Sequence, residues 1–142
     1  MTRTFLAAFF LIACGPALAD QQADLPPADR QAIEQVITNQ IEAFRRDDGV
    51  GAFGYASPDL QLMFDNPARF MAMVRQGYQP VYRPRSVAFG DAFVADGTLV
   101  QEVAVIGPDG EPRLAQYAME REPDGSWKIS GCRLLEKPSP GS

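Results

Sequence analysis

Asp91, Gln101, Tyr117 and Arg133 are the residues of this sequence whose types could together do chemistry. A carboxylate accepts a proton, a phenol donates a hydrogen bond, a carboxamide does either, and a guanidinium holds an anionic group. Around one cavity they would bind a small apolar or anionic ligand. With Asp91 accepting a proton and Tyr117 donating a hydrogen bond, the same set could do acid–base chemistry. They could equally form a buried structural network, Asp91 paired with Arg133 and capped by Gln101 and Tyr117. Residue types alone leave these readings open.

Composition removes other chemistries. The chain has no histidine, so Ser-His-Asp and Cys-His catalysis are excluded, and with so few thiols no zinc site or other metal or cofactor is expected. Cys132 is expected on the outer sheet face as a small hydrophobe, since no imidazole exists to activate it. Gly49-Val50-Gly51-Ala52-Phe53-Gly54 matches a dinucleotide fingerprint by letters only. A helix precedes it rather than a strand, so these glycines are read as a sharp, closely packed turn between helices.

The elements that must position the four residues follow from periodicity. Ile33, Val36, Ile37, Ile41 and Phe44 recur at helical spacing, with Pro26-Pro27 and Asp29 as start signals and Gly49 as a stop, which predicts an amphipathic helix over 28–47. Ser57-Pro58-Asp59 and Asn66-Pro67 open two or three short helices between residues 50 and 78. Residues 78–85 carry Pro80 and Pro84 and are expected to be extended, with Tyr78, Tyr82 and Arg83 either rimming a pocket or packing the connection.

From Ser86 the period becomes two, predicting strands over 86–94, 98–107, 111–122 and 126–135. Pro108-Asp109-Gly110 and Pro123-Asp124-Gly125 specify three-residue hairpin loops, pairing Glu111 with Gly107 and Ser126 with Glu122. A similar loop at 95–97 would pair Val94 with Thr98. One face then carries the rows Phe93, Leu99, Met119, Ile129 and Asp91, Gln101, Tyr117, Gly131, followed by a row ending in Arg133. Glu120 faces Lys128 on the other side. A bulge near Gly90 or Gly131 would undo part of this register.

The expected fold is α+β: N-terminal helices packed on one face of a curved four-stranded antiparallel meander. The opposite, outer face holds Ala88, Ala92, Val100, Ala104, Ile106, Leu114, Ala118 and Leu134. So apolar a face predicts a homodimer through it, or cover from the tail at 137–142 or a helix.

The N-terminus points to export. Arg3, an apolar run over 5–13 and Ala17-Leu18-Ala19 make residues 1–19 a signal peptide cut before Asp20, placing the protein in the periplasm or medium. Leu11-Ile12-Ala13-Cys14 also fits a lipoprotein signal, which would tether the chain to a membrane through Cys14. Residues 20–27 are expected to be a flexible lead-in and 28–136 a single domain, with no membrane span after the leader. A net charge of −5 argues against nucleic acid as a partner.

The phrases Ala56-Ser57-Pro58, Phe70-Met71-Ala72-Met73-Val74, Tyr78-Gln79-Pro80-Val81-Tyr82-Arg83-Pro84 and Gly125-Ser126-Trp127-Lys128-Ile129-Ser130-Gly131-Cys132-Arg133-Leu134 resemble an exported bacterial family known as a domain of unknown function. The order of helices and meander resembles the wider cystatin-like, nuclear transport factor two-like superfamily. That resemblance implies a cone enclosing a cavity, used by some members for catalysis and by others for binding or assembly. Its ketosteroid isomerase-like members set a carboxylate base and a tyrosine in that cavity, which Asp91 and Tyr117 match in type for an isomerase or lyase reaction, although no motif makes the correspondence residue by residue.

Overall fold

The computed structural model describes residues 23–135. The signal-peptide reading, Cys14 and the tail at 137–142 therefore lie outside the described residues.

The first helix, α1 (Pro27–Arg45), starts where Pro26-Pro27 presets the backbone, with Pro27 in the first turn, where its missing N–H would have had no helical partner. Ile33, Ile37, Ile41 and Phe44 form its buried stripe. It ends at Arg45, and Asp47, in the left-handed conformation at φ 54°, turns the chain away before Gly49 is reached.

Three short helices follow, α2 (Gly49–Gly54), α3 (Pro58–Phe64) and α4 (Pro67–Gly77). Each begins at a side-chain cap: Asp48 accepts from the Gly51 N–H, Ser57 from Leu60 and Asn66 from Arg69. A Cβ on Gly49 would come within 2.9 Å of Met71 Cγ, so α2 lies against α4 at a spacing that suits glycine.

The stretch expected to be extended instead contains a fifth helix of one turn, α5 (Gln79–Tyr82). Pro80 sits in its first turn, where no N–H is needed, and Tyr82 and Arg83 N–H groups close the turn onto Tyr78 and Gln79 carbonyls.

The sheet is a four-stranded meander in the order β1-β2-β3-β4, all antiparallel: β1 (Ser86–Ala95), β2 (Thr98–Ile106), β3 (Pro112–Arg121) and β4 (Trp127–Leu134). Both Pro-Asp-Gly loops span three residues as expected, with Gly110 at φ +81° and Gly125 at φ +89°. The first hairpin does not. Ala95 pairs with Thr98, leaving the two-residue loop Asp96-Gly97 with φ of 50° and 77°, the backbone of a type I′ turn.

Along β2 and β3 the expected pairs hold, with Leu99 opposite Met119, Gln101 opposite Tyr117 and Val103 opposite Ala115. Each outer strand carries one bulge. In β1, Phe89 pairs with Val103 and Ala92 with Gln101, so Gly90 and Asp91 together face Glu102. In β4, Ile129 pairs with Met119 and Gly131 with Ala118, leaving Ser130 as the extra residue.

The bulges reverse the faces beyond them. Ala92, Cys132 and Leu134 turn toward the helices, where Ala92 is buried and the other two pack against the core, while Phe93 and Arg133 turn away. Ala88, Val100, Ala104, Ile106, Leu114 and Ala118 remain on the outer face.

Two apolar clusters result. Ile33, Ile37 and Ile41 of α1 pack with Val103, Val105, Tyr117, Met119 and Ile129 of the sheet. Ala43 and Phe44 pack with Phe53 of α2 and Phe70, Met71 and Val74 of α4, with Tyr82 closing the side. At the N-terminal end the lead-in is held, since the Ala23 N–H donates to the Ala92 carbonyl at 2.7 Å and Leu25 packs on the first cluster.

Candidate functional site

A cavity of about 500 Å³ lies between the sheet and the helices, where the two clusters meet. Its floor comes from Tyr117 of β3 and from Ile129, Ser130, Gly131 and Cys132, the bulged stretch of β4. Phe44 and Gln40 of α1 and Val81 of α5 form the inner wall. The remaining wall is Leu60, Met63 and Phe64 of α3 with Phe70, Met73 and Val74 of α4. Helix α3 buries none of its residues, and Met63, 66% exposed, marks where the cavity meets solvent.

The local sequence explains this shape. The caps and prolines at Ser57-Pro58 and Asn66-Pro67 break the chain into two short helices that stand apart, rather than one long helix lying flat on the sheet. The β4 bulge then turns Cys132 inward, beside Tyr117. Without it, Arg133 would take the inward place.

None of the lining residues carries a formal charge at neutral pH. Most of their polar groups are already used. The Gln40 carboxamide donates to Ala52 O at 3.1 Å, the Tyr78 hydroxyl to Cys132 O at 3.0 Å and the Ser130 hydroxyl to Ala118 O at 3.2 Å. The Tyr117 hydroxyl differs: it is buried with no nitrogen or oxygen partner among the described residues, and only the Cys132 thiol, a weak partner, stands beside it.

Burial sets the protonation of the site. Desolvation pushes the Cys132 thiol up to about 12, and it raises the Tyr117 hydroxyl well above its ordinary value and the Tyr78 hydroxyl above its own. The Cys132 residue is only half-buried as a whole, being on an edge strand, but its thiol lies against Tyr117 in apolar surroundings. All three groups therefore hold their protons at neutral pH. The cavity can bind and orient, but its side chains include no ready base.

The four residues singled out by type are divided by the fold. Gln101 and Tyr117 are neighbours on the inner face, at 0% and 1% exposure. Gln101 serves the backbone: its Nε2 donates to Gly90 O at 3.0 Å and Glu102 O at 2.9 Å, pinning the β1 bulge. Asp91 is exposed on that bulge and Arg133 is exposed on the outer face, donating to Gln116 Oε1 at 2.9 Å.

So the expected polar row is corrected at both ends, by one inserted residue in each outer strand. Asp91 is not among the cavity's lining residues, which takes the carboxylate of the isomerase or lyase reading away from Tyr117. Cys132, expected outside, is inside. Among the described residues no group of three or more acidic, cysteine or histidine side chains is placed to hold a metal.

Of the aromatic connection, only Tyr78 lines the cavity. Tyr82 and Arg83 instead fasten the end of α1: the Tyr82 hydroxyl donates to Asp47, and Arg83 Nη2 pairs with Asp47 Oδ2 at 3.0 Å while its guanidinium lies 4.1 Å from the Tyr82 ring centre. The Tyr82 hydrogen bond, followed by the charge of Arg83, holds the Asp47 carboxyl below its usual range.

The family model for a domain of unknown function, DUF4864, fits residues 26–142. The chain belongs to that family. No curated protein and no solved structure matches it. The family match thus covers all of α1 to β4 and every residue lining the cavity.

Sequence reading missed most of the cavity wall. Leu60, Met63, Phe64 and Met73 look like any helical apolar positions, and their exposure depends on how far apart α3 and α4 stand. Gly131 within a strand was the one available signal for the inward turn of Cys132.

Proposed function

We propose that this chain is an exported, non-catalytic binding module for a small apolar molecule held between the sheet and helices α3 and α4. The observation that carries this reading is the cavity of about 500 Å³ with an uncharged lining dominated by apolar side chains. Its volume falls in the ~300–1,000 Å³ range of small-molecule sites. Export is supported by Arg3, the apolar run after it and Ala17-Leu18-Ala19. The resemblance to cystatin-like proteins with a cone-shaped cavity supports the same reading.

The test is a fluorescence titration of the purified protein with N-phenyl-1-naphthylamine, an uncharged apolar dye that brightens when desolvated. Saturable brightening is expected, and Met73→Arg, which places a charge at the half-exposed wall of α4, should abolish it while circular dichroism stays unchanged. A dye that fails to saturate, or that binds the folded Met73→Arg variant equally well, overturns the proposal.

A further inference from the structure

We infer that the natural ligand is an uncharged carbonyl compound that enters oxygen first, its oxygen accepting the hydrogen bond of Tyr117 and its apolar body lying against α3 and α4. This rests on the binding reading above and adds the chemical class and orientation of the ligand.

The first ground is charge. No lining residue is charged, so an ionised ligand would be buried without a counter-charge. Desolvating an unpaired ion carries a large penalty, which an apolar cavity does not return. Carboxylates and amines are therefore selected against.

The second ground is a count of protons. Tyr117 is 1% exposed, lines the cavity, and its hydroxyl lacks a nitrogen or oxygen partner among the described residues. Its neighbour Cys132 also lines the cavity, and the two groups are close enough to shape one another's protonation. Both hold their protons at neutral pH, so the pair has two donors. A bond between them uses one; the other is left over whichever way that bond runs.

An S–H is a weak donor and a phenol a strong one. The better arrangement spends the thiol proton on the phenol oxygen and leaves the phenol proton for a strong acceptor. No oxygen of Gln40, Tyr78, Ser130 or Gln101 supplies that acceptor, since none of them is hydrogen-bonded to the Tyr117 hydroxyl. A buried donor left unsatisfied is costly, and a ligand carbonyl removes that cost. An oxygen placed against the apolar side chains of α3 and α4 would gain no such donor.

Three probes of one shape separate the possibilities: 2-acetylnaphthalene, its alkene isostere 2-isopropenylnaphthalene, and 2-naphthoate, each titrated calorimetrically at pH 7. The ketone should bind roughly three- to tenfold tighter than the alkene, the yield of one net hydrogen bond. It should also bind at least about tenfold tighter than the naphthoate. Tyr117→Phe should erase the preference for the ketone.

Equal binding of ketone and alkene, a preference that survives in Tyr117→Phe, or naphthoate binding as tight as the ketone overturns this inference, while apolar binding itself would still stand. Absence of binding by all three overturns the inference and the binding reading together. The infrared carbonyl stretch of 2-acetylnaphthalene bound to the unmodified protein gives an answer that needs no variant. A shift to lower frequency than in hexane is expected, and an unshifted band overturns the inference.

Discussion

Gln101 and Tyr117 sit on strands paired on both sides, whereas Asp91 and Arg133 sit on strands with one open edge. An extra residue in β2 or β3 would disrupt two ladders at once, and both keep regular register with each other. An extra residue in β1 or β4 disrupts one, and both carry a bulge. The central pair is consequently buried and faces the helices; the edge pair is exposed. In this sheet the pleat carries a residue's face reliably only where neighbours on both sides enforce it.

The largest expected effect tests the centre against the edge. Tyr117→Ala should cost about 3–5 kcal/mol of stability in urea unfolding, as for other large buried aromatics cut to alanine. Arg133→Ala should stay within about 0.5 kcal/mol, since its guanidinium is solvent-exposed. Similar losses from the two would remove the distinction between centre and edge.

A smaller effect should appear at high pH, through the inward thiol. Folding raises the Cys132 thiol from its ordinary 9.0 to about 12. A raised folded value means the contribution to stability is complete below pH 9 and is lost as pH climbs from about 9 toward 12. In that window the unfolded chain has released the proton while the folded chain keeps it. The decline from this group is at most about 1.4 kcal/mol per pH unit. Tyr117 and Tyr78, also raised by burial, act in the same direction above their ordinary value of 10.0. Cys132→Ala should flatten the first part of the decline in urea unfolding followed from pH 8 to 11. An unchanged slope would place the thiol outside, as in a β4 without its bulge.

The smallest expected effect is a coupling near zero. Asp91 and Arg133 lie on opposite outer strands, roughly 14 Å apart for three inter-strand spacings. Thermal unfolding of Asp91→Ala, Arg133→Ala and the double variant should give additive changes within about 0.5 kcal/mol. A strong coupling would reunite the edge pair in one buried network and contradict the register on both edges.

Most of the fold was legible because its signals are local. The stripe from Ile33 to Phe44, the capping residues before Pro58 and Pro67, and the Pro-Asp-Gly loops each act within a few residues of themselves. The register of β2 on β3 followed from one such loop. Asp96-Gly97 misled by one residue, because the same letters fit loops of two or three, and the positive φ of both residues decided for two. Pro80 misled by type, since a proline read as extending the chain also fits the first turn of a helix.

The candidate site was less legible. Register alone placed Gln101 beside Tyr117, but of the four residues singled out only Tyr117 lines the cavity. Near Cys132 only Gly131 hints at a bulge, and the inward turn itself depends on Ser130 being left unpaired when Ile129 meets Met119 and Gly131 meets Ala118.

By itself the sequence determined the α+β class, the order of elements, the buried stripe of α1 and the absence of histidine chemistry, all of which follow from residue type and short-range spacing. Tertiary structure alone decided which polar residues share a cavity. A single inserted residue reverses every face beyond it, and an insertion is tolerated where long-range packing makes the reversed arrangement cheaper: Cys132 and Leu134 against the helices, Arg133 in water.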